Sequence, residues 1–332
     1  MKNLYPLKFK PILKDKLWGG DKLKKILNKK EAGDHCGESW EISGIENNES
    51  VVINGYLKDN NLRELTEIYM GELVGEKIFE HFEFEFPLLI KFIDAKQPLS
   101  IQVHPDDELA QQRLQQKGKT EAWYIIDSEP GSKLISGFKK NMDKERYLQS
   151  VKNNTLPDIV KNVNVNKDDV FFLPAGRIHS IGGGILLAEI QQASDITYRI
   201  YDWNRKDANG KTRELHTQEA LDAIHFNDTF DTKTTFDLQM NQTVNIINCD
   251  YFVTNILCFD TPVKKDYLPV DSFIIYICLE GSCKIFYDND SSDNEELKKG
   301  ETILIPAVCN DIILNPGEKT KILEVFARAA HG

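Results

Sequence analysis

The chain has 332 residues, 41% of them hydrophobic and 28% charged, with a net charge of -11 and a pI near 5.2. Its length suits about two ordinary domains, and its acidity argues against nucleic acid or an anionic membrane as partner, because both select basic surfaces. No apolar run reaches the roughly 18 residues of a spanning helix, and Met1-Lys2-Asn3-Leu4-Tyr5-Pro6 lacks a signal peptide's apolar core, so the expected compartment is the cytoplasm.

Residues 7–20 alternate apolar and basic side chains and close on Gly19-Gly20, which predicts an edge strand and a turn, with a short helix to follow over 21–27. Residues 37–43 alternate again, setting Ser39, Glu41 and Ser43 opposite Trp40 and Ile42. The polar face either lines a cup or meets solvent. His35, just before it, is a lone loop histidine and is assigned no role. Leu62, Leu65, Ile68, Tyr69, Leu73 and Ile78 recur at spacings of three and four, a helical pattern broken at Gly71 and Gly75. Residues 86–95 read as a buried strand interrupted by Lys91, whose long stem in such a run would carry the amine to an edge.

The stretch Pro98-Leu99-Ser100-Ile101-Gln102-Val103-His104-Pro105 is the most informative in the chain. As a strand it places Leu99, Ile101 and Val103 on one face and Ser100, Gln102 and His104 on the other, so one side packs while the other offers metal-type ligands to a barrel cavity. Polar helices are expected over 106–117 and 140–160, outside that barrel. Gly118-Lys119-Thr120-Glu121 enters a second strand on which Glu121, Trp123 and Ile125 share a face, and Val170-Phe171-Phe172-Leu173-Pro174-Ala175-Gly176 runs through a turn to His179. Three strand ends therefore supply Gln102 or His104, Glu121 and His179. Nitrogen and carboxylate donors suit zinc, and a set of three or four with an open position suits a catalytic ion.

Further on, Leu187, Glu189 and Gln191 share a face, and Gly182-Gly183-Gly184 lacks the GxGxxG spacing of a nucleotide loop and reads as a turn. Thr197, Arg199, Tyr201 and Trp203 share the face of the next strand, and Arg199 is there either a surface cation stacked on rings or a pocket cation facing a phosphate or oxyanion. A short helix over 213–226 and a polar linker over 227–235 follow. The last third repeats an earlier pattern, because Asp169-Val170-Phe171-Phe172-Leu173-Pro174-Ala175 overlays Glu301-Thr302-Ile303-Leu304-Ile305-Pro306-Ala307. In that register Asp311 stands opposite His179 and Phe273 near the place of Glu121, which predicts a second small barrel without metal ligands, with turns at Gly281, at Gly300 and over 288–296. The six cysteines are scattered without a CxxC pair and read as reduced, buried thiols.

Gly37-Glu38-Ser39-Trp40-Glu41, the block over 87–107 with Lys91, Gly118-Lys119-Thr120-Glu121, residues 174–179, and residues 189–199 with Ser194-Asp195 together resemble type I phosphomannose isomerases of the cupin superfamily, in their shorter bacterial form. The resemblance covers most of 7–215 and implies a mainly β chain of two cupin-type barrels (jelly rolls), with short helices around the first. The expected division is a metal-binding domain over 1–235 and a degenerate barrel over 236–332. It further implies one zinc ion on His104, Glu121 and His179, with Gln102 as fourth ligand or close neighbour, and a sugar phosphate as substrate. Arg199 falls on the family's active-site arginine and Lys91 and Lys119 on pocket lysines, so the resemblance turns Lys91 inward. Lys119, two residues from a ligand, is favoured over a zinc-bound water or hydroxide as the base in an enediol proton transfer between mannose 6-phosphate and fructose 6-phosphate. Glu189 and Gln102 join the substrate-binding set, as does Arg177, which stands where longer relatives carry Thr-Pro. Generic cupins carry two histidines one residue apart, and Gln102 departs from that pattern as the phosphomannose isomerases do. The alternatives are another metallocupin, such as an iron oxygenase or a different sugar-phosphate isomerase, and a non-catalytic sugar-binding cupin.

Overall fold

The computed structural model describes residues 3–140, 142–206, 209–228, 231–287 and 294–329. In chain order the elements are β1 (Ile12–Gly20), α1 (Lys22–Leu27), β2 (Cys36–Ile42), α2 (Leu62–Val74), α3 (Glu76–Phe82), β3 (Leu88–Ala95), β4 (Ile101–Val103), α4 (Asp107–Leu114), β5 (Glu121–Ser128) and β6 (Lys133–Phe138). Next come α5 (Lys144–Lys152), α6 (Leu156–Ile159), β7 (Val160–Asn164), β8 (Val170–Leu173), β9 (His179–Ser180), β10 (Ile185–Gln192), β11 (Tyr198–Tyr201) and α7 (Thr217–Ala223). The rest is strand: β12 (Gln242–Asn248), β13 (Phe252–Phe259), β14 (Val263–Asp266), β15 (Ile274–Glu280), β16 (Ser282–Tyr287), β17 (Asn294–Lys298), β18 (Thr302–Ile305), β19 (Asp311–Pro316) and β20 (Thr320–Ala327).

The molecule is mainly β, two cupin-type barrels of antiparallel sheets. The first pairs a sheet ordered β1-β2-β3-β10-β5-β8 with one ordered β11-β4-β9-β6-β7. The second pairs β12-β13-β20-β15-β18 with β14-β19-β16-β17. From β2 to β10, each strand has a counterpart ten places later, and the two sets pair in the same order apart from the added edge strands β1 and β11, so the repeat seen in sequence is a repeat of topology. β5–β8 pairing sets Glu121 across from Leu173, and β15–β18 pairing sets Ile274 across from Ile305, so Ile274 takes the place of Glu121, one residue beyond the expected Phe273.

Strands β3, β5 and β10 are buried on both faces, which explains their near-continuous apolar runs. On β5, Trp123 and Ile125 face the first barrel's interior with Trp18, Ile93, Phe171 and Leu187. Its other face, Ala122, Tyr124 and Ile126, joins a cluster that includes Phe92 and Ala188 together with Phe252, Ile275, Leu323 and Val325 of the second barrel. The barrels thus stand back to back across one shared core. Each fully buried Leu, Ile or Phe in it contributes roughly 1.5–3 kcal/mol.

Several sequence expectations are corrected. The face Ser39-Glu41-Ser43 neither lines the cup nor meets solvent: Ser39 and Glu41 are buried on the outer side of β2, where Glu41 is paired with Lys29 at 2.6 Å. The side chains turned inward are Glu38 and Trp40, cross-strand neighbours of Ile93 and Lys91. A register shift between Arg199 and Tyr201 and a left-handed backbone at Trp203 (φ 55°) end the expected four-residue face. Strand β6 carries no sequence expectation, β7 starts on the last residue of the helix expected over 140–160, and of the expected turn over 288–296, residues 294–296 are strand β17 while 288–293 lie outside the described residues.

Candidate metal centre

Two rows of cross-strand neighbours face each other inside the first barrel. On one sheet the row is Trp40, Lys91, Glu189 and Trp123, from β2, β3, β10 and β5, with Glu121 paired to Gln191 alongside. On the other it is Arg199, Gln102, His179 and Ser136, from β11, β4, β9 and β6. His104 follows β4 directly. The loop from Pro105 to Lys119 returns tightly to start β5, and a Cβ on Gly118 would lie 2.5 Å from the Asp106 carbonyl carbon, so only glycine fits there. Lys119 N–H donates to Pro105 O and Thr120 N–H to Gln192 Oε1, which fixes where Glu121 enters.

His104, Glu121 and His179 are 1%, 0% and 1% exposed, and one ligand atom from each lies within 4.8 Å of the others. Glu121 Oε1 is 3.1 Å from His179 Nε2 and Oε2 is 3.6 Å from His104 Nε2. A tetrahedral ion with bonds of about 2.1 Å sets its ligand atoms about 3.4 Å apart, so the spacing fits one. Two further observations support the fit. The Nδ1 atoms of His104 and His179 lie 2.7 and 2.8 Å from the carbonyls of Ile196 and Arg177. A carbonyl only accepts, so each Nδ1 carries the proton and each Nε2 turns a lone pair to the cluster. Moreover His104 Nε2 and both Glu121 oxygens are buried without a hydrogen-bond partner. Such orphaned acceptors are costly unless a cation satisfies them.

The charges around the cluster are ordered. Burial and the neighbouring Lys119 charge hold the His104 pKa well below its ordinary value. Burial raises Glu121, but Lys119, His179 and His104 outweigh it and keep this group well below the usual carboxylate range. Both therefore stand in metal-competent forms at neutral pH. Lys119 Nζ is 3.3 Å from Glu121 Oε2. Lys91 is 4% exposed and does not reach an edge; its Nζ lies 3.2 Å from Glu189 Oε2 and 5.0 Å from the Trp40 ring centre. Burial works against this ammonium, yet Glu189, Glu38, Asp195 and Glu121 hold its pKa above the ordinary lysine value. Trp123 Nε1–H donates to Glu189 Oε1 at 2.9 Å.

Gln102 Nε2 is 3.4 Å from His179 Nε2, at the edge of the cluster. Arg199, half-buried on the same face, donates from Nη1 to Glu214 O and leaves a buried Nε without a partner. Arg205 and Arg213 converge beside it on Asp202, and burial together with the Arg213 charge lowers the Arg199 pKa. Arg177 points elsewhere: it makes a bidentate pair with Asp228 at 2.5 and 2.8 Å and donates to Phe172 O and Asp231 O. Glu38, Trp40, Arg205 and Arg213 escaped the sequence reading, and Trp123 was placed on the face of Glu121 without a role. Alternation over 37–43 carried a signal for the first two; nothing local marks the arginines.

The chain is similar to known proteins. Residues 6–138 match the model of the phosphomannose isomerase type I catalytic domain. Mannose-6-phosphate isomerase ManA of Bacillus subtilis (strain 168) is 38% identical over 253 residues, 74% of this chain and 77% of the relative. Mannose-6-phosphate isomerase of Streptococcus mutans is 32% identical over 302 residues, 91% of this chain and 92% of the relative. The crystal structure of the mannose 6-phosphate isomerase from Bacillus subtilis superposes with a TM-score of 0.86 at 28% identity, covering 97% of this chain and 99% of that one.

Proposed function

The chain belongs to the type I phosphomannose isomerases, and from that premise we propose that it interconverts mannose 6-phosphate and fructose 6-phosphate with one zinc ion held by His104, Glu121 and His179. The observation that carries the reading is the trio of orphaned, buried acceptors on His104 and Glu121, flanked by two buried lysines. Gln102 completes the set as a fourth ligand or as a donor to substrate. When bound, zinc supplies Lewis acidity at the sugar's carbonyl end, the kind of charge stabilisation whose loss typically costs about 3 kcal/mol of barrier.

Aldose-to-ketose isomerisation takes the proton from C2 and returns it to C1, while a hydroxyl proton passes from O2 to O1. Lys119, 3.3 Å from Glu121, is the base we assign to the carbon proton. Lys91 is held as an ammonium by carboxylates on several sides, so it donates to a sugar oxygen and does not abstract. Glu189, fixed by Lys91 and Trp123, accepts from a sugar hydroxyl. The phosphate belongs at Arg199, with Arg205 and Arg213 adding positive field to a chain that is otherwise acidic. Arg177 spends its donors on Asp228 and two carbonyls, and its part in substrate binding is indirect, through the wall behind His179. The chemistry takes place in the cytoplasm, the compartment in which scattered cysteines without a CxxC pair are ordinarily kept as thiols.

The test is formation of fructose 6-phosphate from mannose 6-phosphate before chelation, after it, and after zinc is restored. Activity lost and regained with zinc is the expected result. No turnover by folded, zinc-loaded protein would sink the isomerase reading, and restoration by iron alone would replace the metal.

A further inference from the structure

A cavity of about 840 Å³ opens on the opposite face of the β1-β2-β3 sheet from the metal centre, where the amino-terminal segment, α1 and the β17–β18 turn of the second barrel meet. Six lysines line it, Lys8, Lys10, Lys29, Lys30, Lys298 and Lys299, against three carboxylates, Glu31, Glu41 and Glu301. In a protein of net charge -11 that local excess is opposite to the whole. Three of the lysines are neutralised, Lys29 by Glu41 at 2.6 Å, Lys8 by Glu301 at 3.0 Å and Lys298 by Glu296 at 2.7 Å. Lys10, Lys30 and Lys299 form no ion pair among the described residues. Pro11, Leu13 and Ile53 add apolar surface to the lining, and Ile53 is 46% exposed. The closure is fixed, because Gly300 (φ 82°) sits so close to α1 that a Cβ there would lie 2.2 Å from Leu27 O.

We propose that this cavity binds a phosphorylated small molecule with a flat apolar part, of the nucleoside diphosphate class, with the phosphates at Lys10, Lys30 and Lys299 and the ring against Leu13 and Ile53. The volume lies within the range of small-molecule sites, and a lining that joins cations to apolar surface is the complement of such a ligand. Binding is independent of the sugar-phosphate site, since Glu41 and Lys29 lie on the outer face of β2 while Glu38 and Trp40 line the catalytic side.

Calorimetric titration with ADP and with inorganic pyrophosphate tests this on the intact protein. The expected result is one ADP per chain, weakened about tenfold or more in K10E/K30E/K299E, unchanged in Arg199→Ala, and tighter than pyrophosphate. The neutral set K10Q/K30Q/K299Q repeats the comparison if charge reversal lowers the unfolding midpoint. No binding at millimolar ADP, or binding that survives the lysine substitutions, or binding abolished by Arg199→Ala, overturns the site. Pyrophosphate binding as tightly as ADP overturns the apolar half of it.

Discussion

At Lys91 a full positive charge is held inside a barrel by carboxylates on neighbouring strands, and removing it leaves Glu189 buried without its ion-pair partner. Lys91→Met should therefore cost about 3–5 kcal/mol in urea unfolding, whereas Lys91→Met with Glu189→Leu should recover most of it, because a buried pair replaced as a pair is often neutral. Lys119→Met should lower kcat by about 10²–10⁴ with KM changed far less, the signature of a group that moves a proton in the transition state. His104 gives a pH prediction. Its folded pKa is depressed, by burial first and by Lys119 second. Below the unfolded value near 6.5 the unfolded chain takes up a proton that the folded protein refuses, so chelated protein keeps its stability above about pH 6.5 and loses it as pH falls beneath. Urea midpoints across pH 5–8 should show that slope, and His104→Gln should lack it. These positions differ in how far the sequence revealed them. Gln102, His104, Glu121 and His179 were legible because ligand-type side chains stood at alternating places on strands with turn residues beside them. Lys91 was ambiguous, since only the family resemblance, and not the apolar run around it, turned it inward.

A strand's two faces can be read from alternation, but which face looks inward cannot when both are buried. That is why β2 was misread: Ser39 and Glu41 satisfy each other and Lys29 on the outer side, while Glu38 and Trp40 take the site. The linker over 227–235 was read from its polarity alone, yet Asp228 reaches back 51 residues to Arg177 and Thr234 N–H donates to Val170 O, so the segment is tied to β8. Pairing across that separation leaves no local signal. Arg177→Ala should lower the urea midpoint, as expected when a buried pair is broken, and should leave KM for mannose 6-phosphate within about twofold. A large rise in KM at unchanged stability would instead put the guanidinium on the substrate. The start of α2 was written locally: Asn61 accepts from Glu64 N–H and the Glu64 carboxylate accepts from Asn61 N–H. Asn61→Ala should cost about 1 kcal/mol.

For the molecule as a whole, the repeated topology was visible in one seven-residue echo, but the contact between barrels was not, because nothing in either copy says that their outer sheet faces meet. The second copy keeps parts of the first copy's interior: Glu324 stands across from Asn255 and Tyr276 where Glu189 stands across from Lys91 and Trp123, and Lys265 reaches Glu324 at 2.6 Å. Since Phe92 and Ala188 share a core with Ile275 and Leu323, calorimetry should show one cooperative unfolding transition, not one per barrel. Leu7, fully buried, exchanges two backbone hydrogen bonds with Leu304 at 2.7 and 2.9 Å, and Lys8 pairs with Glu301 nearby. Ribosomes deliver a chain from its amino end, so Phe9 can pair with Val52 and Lys8 with Ile53 soon after they are made, whereas Leu7 meets Leu304 only when almost all of the chain between them has followed. Until then Leu7 lacks that strand, and any nascent chain stalled before β18 should be a client of the chaperones that shield exposed apolar segments.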